Sequence, residues 1–544
     1  MNLEKPFLVA FFSLMLFLGV SNLWDNRIAH DFPYSYMASD AFQQQTRAEG
    51  IKDAGNYRQE PFYIVKGFKD VIGYYPPIIH HIGILLHFSS NIPLYDTVYF
   101  MVFFSAILAA FVMYIIIRRY NKHVAILSLP LSILIFSNKS YIGFLWGHWA
   151  SITGQLFLIC VFWAMTNLNI KRIEILLGLF LGALALSHTS ELIYAIGFIA
   201  LYSIILLFFK KFDFAYVKKM LIAAVVSLTL SLYSLYIFAK SFMIMNPYQF
   251  EVSLDWGGTP IFYLSDFGLL LIFLAIGAVM SIMLIKKMDV PIIAAFFMLL
   301  IGYTNYIGFG IRAFQPRLLW PIYLSFFFGL GIYAMLKFIP SKFKGISALS
   351  ISIIFILALS NVLAVPNIPT YKKISSPGLM DPWHWEAFKW LSENTPKDSK
   401  LYFFYGDVYD QDAILRNSKR LHVQVIPDDF IASLQNKTIK KFYQTESPAD
   451  HGAGMPYFKS FLKIGLHLKE DLDYWLLQQP NLDICLFDYH IFDKESRQPV
   501  LAQYNSIIAN QMLKKNAQIV FENNAVVILK NNNAGGDCIE QANF

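Results

Sequence analysis

Long apolar stretches separated by short polar breaks run up to about residue 365, and from Pro366 onward the alternation becomes that of a soluble domain. A helix that crosses a hydrocarbon core of ~30 Å needs about 20 apolar residues, within a range of roughly 17–25. Segments 7–23, 95–117, 149–168, 190–209, 220–239, 267–285, 318–336 and 345–365 meet that length, whereas 124–137, 173–187 and 290–303 lie near or below it. The first span lacks a small-residue cleavage site, because Gly19-Val20-Ser21-Asn22 leads into Leu23-Trp24-Asp25, so it reads as a retained anchor. Pro366 and Pro369 break the last apolar helix. They divide the chain into a membrane domain, 1–365, and a C-terminal domain, 366–544.

The C-terminal pattern predicts an α/β domain. Segments 401–405 and 483–489 read as short buried strands, and 518–529 as a hairpin turning at Asn523-Asn524. Leu501, Tyr504, Ile508 and Met512 fall near helical spacing and predict a helix over 500–513. Asp428-Asp429 after Pro427 reads as a surface turn. A disulfide between Cys485 and Cys538 is permitted if this domain lies outside the cell, but Cys485 in a buried strand and Cys538 in a polar tail argue against it.

Composition agrees with a membrane protein. Of 544 residues 56% are hydrophobic and 15% charged, against about a quarter charged in a soluble domain. Basic clusters occur at Arg118-Arg119-Lys122, Lys171-Arg172, Lys210-Lys211 with Lys218-Lys219, Lys286-Lys287, and Lys337 with Lys342 and Lys344. Cytoplasmic loops retain such charge. Placing these clusters and Lys5 inside predicts a multi-pass protein of the cell membrane with about eleven crossings, N-terminus in and C-terminal domain out. The parity requires that 78–88, with His80, His81 and His87 after Pro76-Pro77, lie as an amphipathic helix in the outer interface. The formal charge of +7 comes largely from the inner clusters; it reports orientation, and gives no footing for nucleic-acid binding.

Candidate chemistry then lies in the outer loops 24–94, 137–149, 186–190, 240–266 and 303–317. The first is far longer than joining two helices requires, which marks it as functional. It opens with His30-Asp31-Phe32-Pro33-Tyr34-Ser35-Tyr36. Asp31, a carboxylate among aromatic residues, suits a base or a metal ligand; capping a short helix from Pro33 accounts for it equally. Asp25 and Asp40 read as solvated carboxylates. Arg312 and Arg317 run against the charge bias of outer loops and suit phosphate binding, or else snorkel to lipid phosphates. His148 starts a helix at its outer end. His188 and Glu191 sit in a tight outer turn, where a Ser-x-x-Glu-like cap from Ser187 competes with function. The histidine spacings match no compact metal motif.

These stretches resemble the GT-C superfamily of membrane glycosyltransferases, distantly the catalytic subunit of oligosaccharyltransferase. The 31–36 stretch looks like the start of that family's first outer loop, and Tyr74-Tyr75-Pro76-Pro77-Ile78-Ile79-His80 is similar to its aromatic-Pro-Pro element. The 312–320 stretch looks like its late outer arginine, and Trp385-Glu386-Ala387-Phe388-Lys389-Trp390-Leu391 resembles the helix opening many of its extracytoplasmic domains. The resemblance implies a sugar donor on a polyprenyl phosphate or diphosphate such as dolichol, and a protein, lipid or glycan acceptor. It implies Asp31 as the catalytic carboxylate and candidate ligand of Mg or Mn, with Arg312 and Arg317 on the donor phosphate. His30, Tyr34, Tyr75, His80, His148, His188 and Glu191 become candidate substrate-site residues. The loop 137–149 lacks the second acidic pair of the oligosaccharyltransferase branch, and a Trp-Trp-Asp-Tyr-Gly motif is absent. Transfer of single sugars, or a relative without activity, therefore fits as well as metal-dependent transfer to Asn. A lipid or polysaccharide transporter would expect paired charges in mid-membrane, and a non-catalytic scaffold would tolerate loss of Asp31.

Overall fold

The computed structural model describes residues 3–55, 63, 75–137, 142–244, 262–287, 289–307, 314–336, 340–373, 376–403, 414–422, 432–433, 436, 441–443, 481–494 and 499–539. The membrane region is helical. Its elements are α1 (Glu4–Leu23), α2 (Ser39–Ala54), α3 (Ile78–Ser90), α4 (Leu94–Tyr120), α5 (Lys122–Ser128), α6 (Ile142–Leu145), α7 (Trp149–Thr166), α8 (Ile173–Ala185), α9 (Thr189–Phe208) and α10 (Phe214–Ile244). There follow α11 (Leu270–Leu284), α12 (Val290–Ile301), α13 (Gln315–Leu318), α14 (Trp320–Tyr323), α15 (Ser325–Met335) and α16 (Ser341–Leu359). Among the described residues 6 helices are long and apolar enough to cross a membrane: α1, α4, α7, α9, α10 over Phe214–Tyr236, and α11 with the turn that follows it.

The shorter segments depart from the expected spans for identifiable reasons. Segment 318–336 was expected as one helix, and is broken: Leu318 closes α13, α14 follows with Pro321 in its first turn, and a turn at Leu324 precedes α15. Proline has no N–H to donate and obstructs the preceding turn, so the helix restarts at Pro321. Segment 345–365 ends early, at Leu359, and the chain turns at Asn361 with φ 64° before either proline is reached. Segment 124–137 begins as α5 and continues as a 3₁₀ helix over Leu129–Phe136 around Pro130. Its 7 α residues and 8 3₁₀ residues reach about 26 Å, because the tighter 3₁₀ winding rises farther per residue. Close packing surrounds these pieces: Gly277 of α11 lies on the Phe327 carbonyl of α15, and Gly331 on that of Phe273. A side chain at either glycine would overlap the facing backbone.

Polar contacts mark the two ends of the bundle. At the N-terminal end Glu4 accepts from Arg118 at 2.5 Å and Tyr114 at 2.5 Å and pairs with Lys122 at 3.0 Å, while Arg119 donates to Asn167 below α7. At the other end α3 packs against the start of α4, where Thr97 donates to the Gly83 carbonyl at 2.9 Å. The first residue of α3 also donates to the Leu186 carbonyl at 3.0 Å.

The C-terminal region sits at this second end. Its helix α17 (Pro382–Asn394) starts where Asp381 accepts from the Trp383 and His384 amides, both at 2.9 Å, ahead of a proline suited to the first turn. The strands are β1 (Lys400–Phe403), β2 (Leu421–His422), β3 (Lys441–Tyr443), β4 (Asn481–Asp483), β5 (Tyr489–Asp493), β6 (Ala517–Glu522) and β7 (Val526–Asn531), with helix α18 (Pro499–Lys514) between β5 and β6. Sheet order is β2-β1-β5-β7-β6, with β1 parallel to β2 and β5, and β7 antiparallel to β5 and β6. The period of two separates the faces. Leu401, Phe403, Ile491, Val526 and Ile528 join the core that includes α17, whereas Tyr402, Phe492 and Leu529 meet Ile508 and Met512 of α18.

The hairpin and α18 fall where the pattern predicts them. The strand expected over 483–489 does not form as one: Asp483 caps a 3₁₀ turn over Ile484–Leu486 by accepting from the Cys485 amide at 2.9 Å, and β5 begins at Tyr489. That turn carries Cys485 into a disulfide with Cys538 across 53 residues. Closing a loop of that length stabilises the fold by about 4 kcal/mol in the chain-entropy account.

His384 ties α17 to the sheet. Its Nδ1 lies 2.5 Å from Asp381 and its Nε2 3.6 Å from Asp493 of β5. Burial by itself lowers the imidazole pKa, but the two carboxylates outweigh it and hold it up at about 9. A raised pKa stabilises the fold fully below the unfolded value near 6.5 and loses that contribution as pH rises through about 9. His384→Gln is therefore expected to lower the thermal midpoint of the full chain at mildly acidic pH and to leave it nearly unchanged in alkali. Unfolding scans of both proteins across that range check this; a constant difference would exclude the charged imidazole.

Candidate functional site at the sheet-side end of the bundle

The segment after α1 is pinned by one buried carboxylate. Asp96, 2% exposed in the first turn of α4, accepts from the His30 amide at 2.8 Å and faces the His30 Nδ1 at 3.1 Å. Tyr95 donates its hydroxyl to the His30 carbonyl at 2.6 Å, and Tyr34 stacks on the His30 ring at 4.7 Å. Asp31 follows directly and is exposed, accepting no hydrogen bond from the described residues. It caps no helix. The next helix, α2, begins at Ser39, so the capping role expected from Pro33 is overturned by the turn over Tyr34-Ser35, where Ser35 takes φ 63°.

Tyr36 anchors the next step. It is 1% exposed, donates to the Tyr95 carbonyl at 2.8 Å, and packs its ring on Phe42, Tyr99 and Trp149 at 5.0–5.7 Å. The C-terminal region locks on from the other side: Leu379 donates to the Tyr36 carbonyl at 2.7 Å, and Ser35 to that of Pro377 at 3.1 Å. The chain then enters α2 at Ser39-Asp40. Gly147, with φ 89°, lays the turn before His148 directly on the Asp40-Ala41 backbone, where a side chain would overlap it. Asp40 is exposed there. His148 in turn meets the Phe314 ring at 5.1 Å, just before α13. Asp40 was expected as a solvated carboxylate, and the fold brings it beside a loop that sequence distance hides.

A neutral platform supports α2 from below. His80 is 1% exposed and shares a hydrogen bond with Gln44 at 2.9 Å; Gln44 also donates to the Tyr75 hydroxyl at 3.0 Å, and Arg47 lies over the Tyr75 ring at 4.5 Å. Burial, and next the Arg47 charge, depress the His80 pKa to about 3, so the ring stays neutral.

Glu191 does not close a cap. The residue preceding α9, His188, makes no side-chain cap bond, and Ser187 donates to the Ala183 carbonyl instead at 2.7 Å. The Glu191 carboxylate turns into the bundle, 0% exposed, accepting from Ser151 at 2.6 Å and pairing with the His188 Nδ1. Gln155 extends the chain of contacts, reaching Ser151 at 3.3 Å and donating to the Gln315 carbonyl at 2.9 Å.

Two residues beyond Gln315 lies Arg317, 1% exposed. It donates through Nε to the Gly302 carbonyl at 2.6 Å and through Nη2 to Asn305 at 3.1 Å. Its guanidinium lies 4.9 Å from the Tyr303 ring, 5.0 Å from Tyr263 and 5.5 Å from Trp320. The side chain turns inward, so snorkelling to the lipid surface is excluded for it. Among the described residues no carboxylate pairs with it. Arg312, Tyr74 and Asp428-Asp429 lie outside the described residues. Among the described residues no three His, Cys, Asp or Glu side chains converge as metal ligands. Among the described residues Asp31 has no donor set around it that fits Mg or Mn.

Solved structures share the fold. The apo oligosaccharyltransferase of Archaeoglobus fulgidus aligns over 90% of this chain and 70% of its own, with TM-score 0.56 at 11% identity. ArnT from Cupriavidus metallidurans, bound to undecaprenyl phosphate, aligns over 98% of this chain and 100% of its own, with TM-score 0.51 at 12% identity. The chain has a GT-C-like fold. The archaeal protein, AglB, also aligns in a complex with an inhibitory peptide and a dolichol-phosphate, over 91% of this chain and 70% of its own, with TM-score 0.52 at 11% identity. It has further been solved with Zn and sulfate. The sequence itself matches no protein-family model, and no curated protein matches it.

Within the GT-C-like fold, the buried Glu191 contacts test the geometry directly. Glu191→Ala leaves Ser151 and His188 without their acceptor inside the bundle and is expected to destabilise the protein by about 3 kcal/mol. Thermal unfolding of the purified chain in detergent reads this. An unchanged midpoint would mean that the carboxylate is not held between them.

Proposed function

We propose that this chain is a membrane glycosyltransferase that takes a sugar from a polyprenyl phosphate or diphosphate carrier and passes it to an acceptor at the outer membrane face. The observation that carries the reading is Arg317. A guanidinium shut away from water, with no carboxylate on it among the described residues, leaves a charge for an anion to complete. A lipid-linked phosphate suits that position, with Arg312 as a second donor on the same segment. The dolichol-phosphate and undecaprenyl phosphate in the archaeal and ArnT structures support the choice of anion.

The wider reading follows the same logic. Glu4, Arg118, Lys122 and Arg119 gather at one end of the bundle, the end we take as cytoplasmic. The sheet region and loop 24–94 then face outward, α3 lies in the interface, and eleven crossings satisfy the parity. On this basis residues 1–365 form the transmembrane domain and 366–544 the extracytoplasmic domain that shapes acceptor access.

In the reaction the acceptor atom forms a bond to the anomeric carbon as the bond from that carbon to the carrier phosphate breaks. Arg317 and Arg312 take up the charge that develops on the departing phosphate. A carboxylate receives the acceptor proton. Asp31 is the carboxylate of the sequence pattern. The contact of Gly147 with the Asp40 backbone, and of His148 with Phe314, favours Asp40 as the one facing the arginine segment. His30, Tyr34, Tyr75, His80, His188 and Glu191 build the walls: they fix loop 24–94 and the segment that carries Arg317. No step is routed through a metal.

Mass spectrometry of polyprenyl-linked sugars in cells carrying the wild-type chain, Asp31→Asn or Asp40→Asn at equal expression tests this. One lipid-linked sugar is expected to accumulate in the variant that lacks the base, by about 10²-fold or more relative to its turnover in wild type. Unchanged lipid pools and surface glycans in both variants would overturn the transferase reading.

A further inference from the structure

At the N-terminal end of the bundle, opposite Arg317, α1, α4 and α7 enclose a cavity of about 460 Å³. Its mouth carries Lys5, Arg118 and Arg119, and its walls carry Leu8, Phe111 and Trp163. One carboxylate, Glu4, faces it as well, but that group is already shared by Arg118, Lys122 and the Tyr114 hydroxyl. Arg119 is held differently. It is drawn inward onto the side-chain oxygens of Asn167 and of Asn169, the latter at 3.1 Å. Amide oxygens orient a guanidinium without neutralising it. Among the described residues no carboxylate pairs with Arg119 or Lys5.

We propose that this cavity is a binding site for an anionic phospholipid of the adjacent leaflet, its phosphate between Arg119 and Lys5 and its acyl chain along Leu8, Phe111 and Trp163. Cations at the helix ends above an apolar wall match the two halves of such a lipid, and a basic pocket between transmembrane helices is a recurrent form of head-group recognition. Arg119 is exposed at the cavity edge, where its bonds to Asn167 and Asn169 hold the guanidinium beside the apolar wall. The site is at the far end from the proposed transfer chemistry and does not depend on it.

Native mass spectrometry of the purified full-length chain, exposed to equimolar dioleoyl-phosphatidylglycerol and dioleoyl-phosphatidylcholine, tests the proposal. The wild type is expected to retain the anionic lipid, and the Lys5→Gln, Arg119→Gln variant to retain about thirtyfold less, from two lost cations near the surface. Lys171→Gln with Arg172→Gln, at the same end but outside the cavity, is expected to retain it like wild type. Equal retention of the two lipids by wild type, or equal loss in both variants, would overturn the site. Displacement of the lipid by inorganic phosphate at matched concentration would overturn the lipid as its ligand. Should the first variant fold poorly, the wild type alone decides, because phosphatidylglycerol and not phosphatidylcholine must raise its thermal midpoint.

Discussion

Asp96 has no water to face, and the way it is satisfied sets the position of everything around it. A carboxylate buried at the end of α4 must be hydrogen-bonded or neutralised, and His30 does so with both its amide and its ring. That single requirement fixes the direction in which the chain leaves α1. Tyr34, Tyr36 and the start of α2 follow from it, because the Tyr36 ring fits among Phe42, Tyr99 and Trp149 only from that direction. The C-terminal region then binds the same segment through Ser35 and Tyr36. The described parts of loop 24–94, the Pro377–Leu379 segment and the start of α4 thus meet around His30, Ser35 and Tyr36, beside the exposed Asp31 and Asp40.

Against that frame stand two buried ionic groups of opposite sign. Glu191 is hydrogen-bonded locally by His188 and Ser151, whereas among the described residues Arg317 is held by carbonyl oxygens and aromatic faces. Ring faces and carbonyls stabilise a cation, but they leave its net charge in place. The Gln155–Gln315 contact links the two regions.

Much of this was legible in the residues. The apolar pattern gave α1, α4, α7, α9, α10 and α11, and period-two alternation gave the hairpin of β6 and β7. It misjudged 318–336, since hydropathy does not register that Pro321 interrupts a helix that remains buried. The strand expected over 483–489 failed because the Asp483 side chain competes for the Cys485 amide, a local contact invisible to periodicity. At the candidate site, Arg317 was marked by its charge in an outer loop and Glu191 by its depth. Asp96 was missed: at the head of an apolar run it resembles any first-turn acid, and only the return of His30 across 66 residues reveals its role. Asp40 was read as solvated and is exposed, but the Gly147 turn beside it was not foreseen because that turn is distant in sequence. The one available signal was a glycine between two tryptophan-flanked positions, which implies close backbone approach.

The central claim is that Arg317 holds the phosphate of a lipid carrier. Its most direct test is the affinity of the purified chain for undecaprenyl phosphate, compared between wild type and Arg317→Met. The account predicts binding by wild type and at least about a tenfold loss in the variant, as expected when a buried charge partner is removed. Equal affinity in a variant that unfolds at the wild-type temperature would contradict it, and would leave the arginine as a structural tie between Gly302 and Asn305.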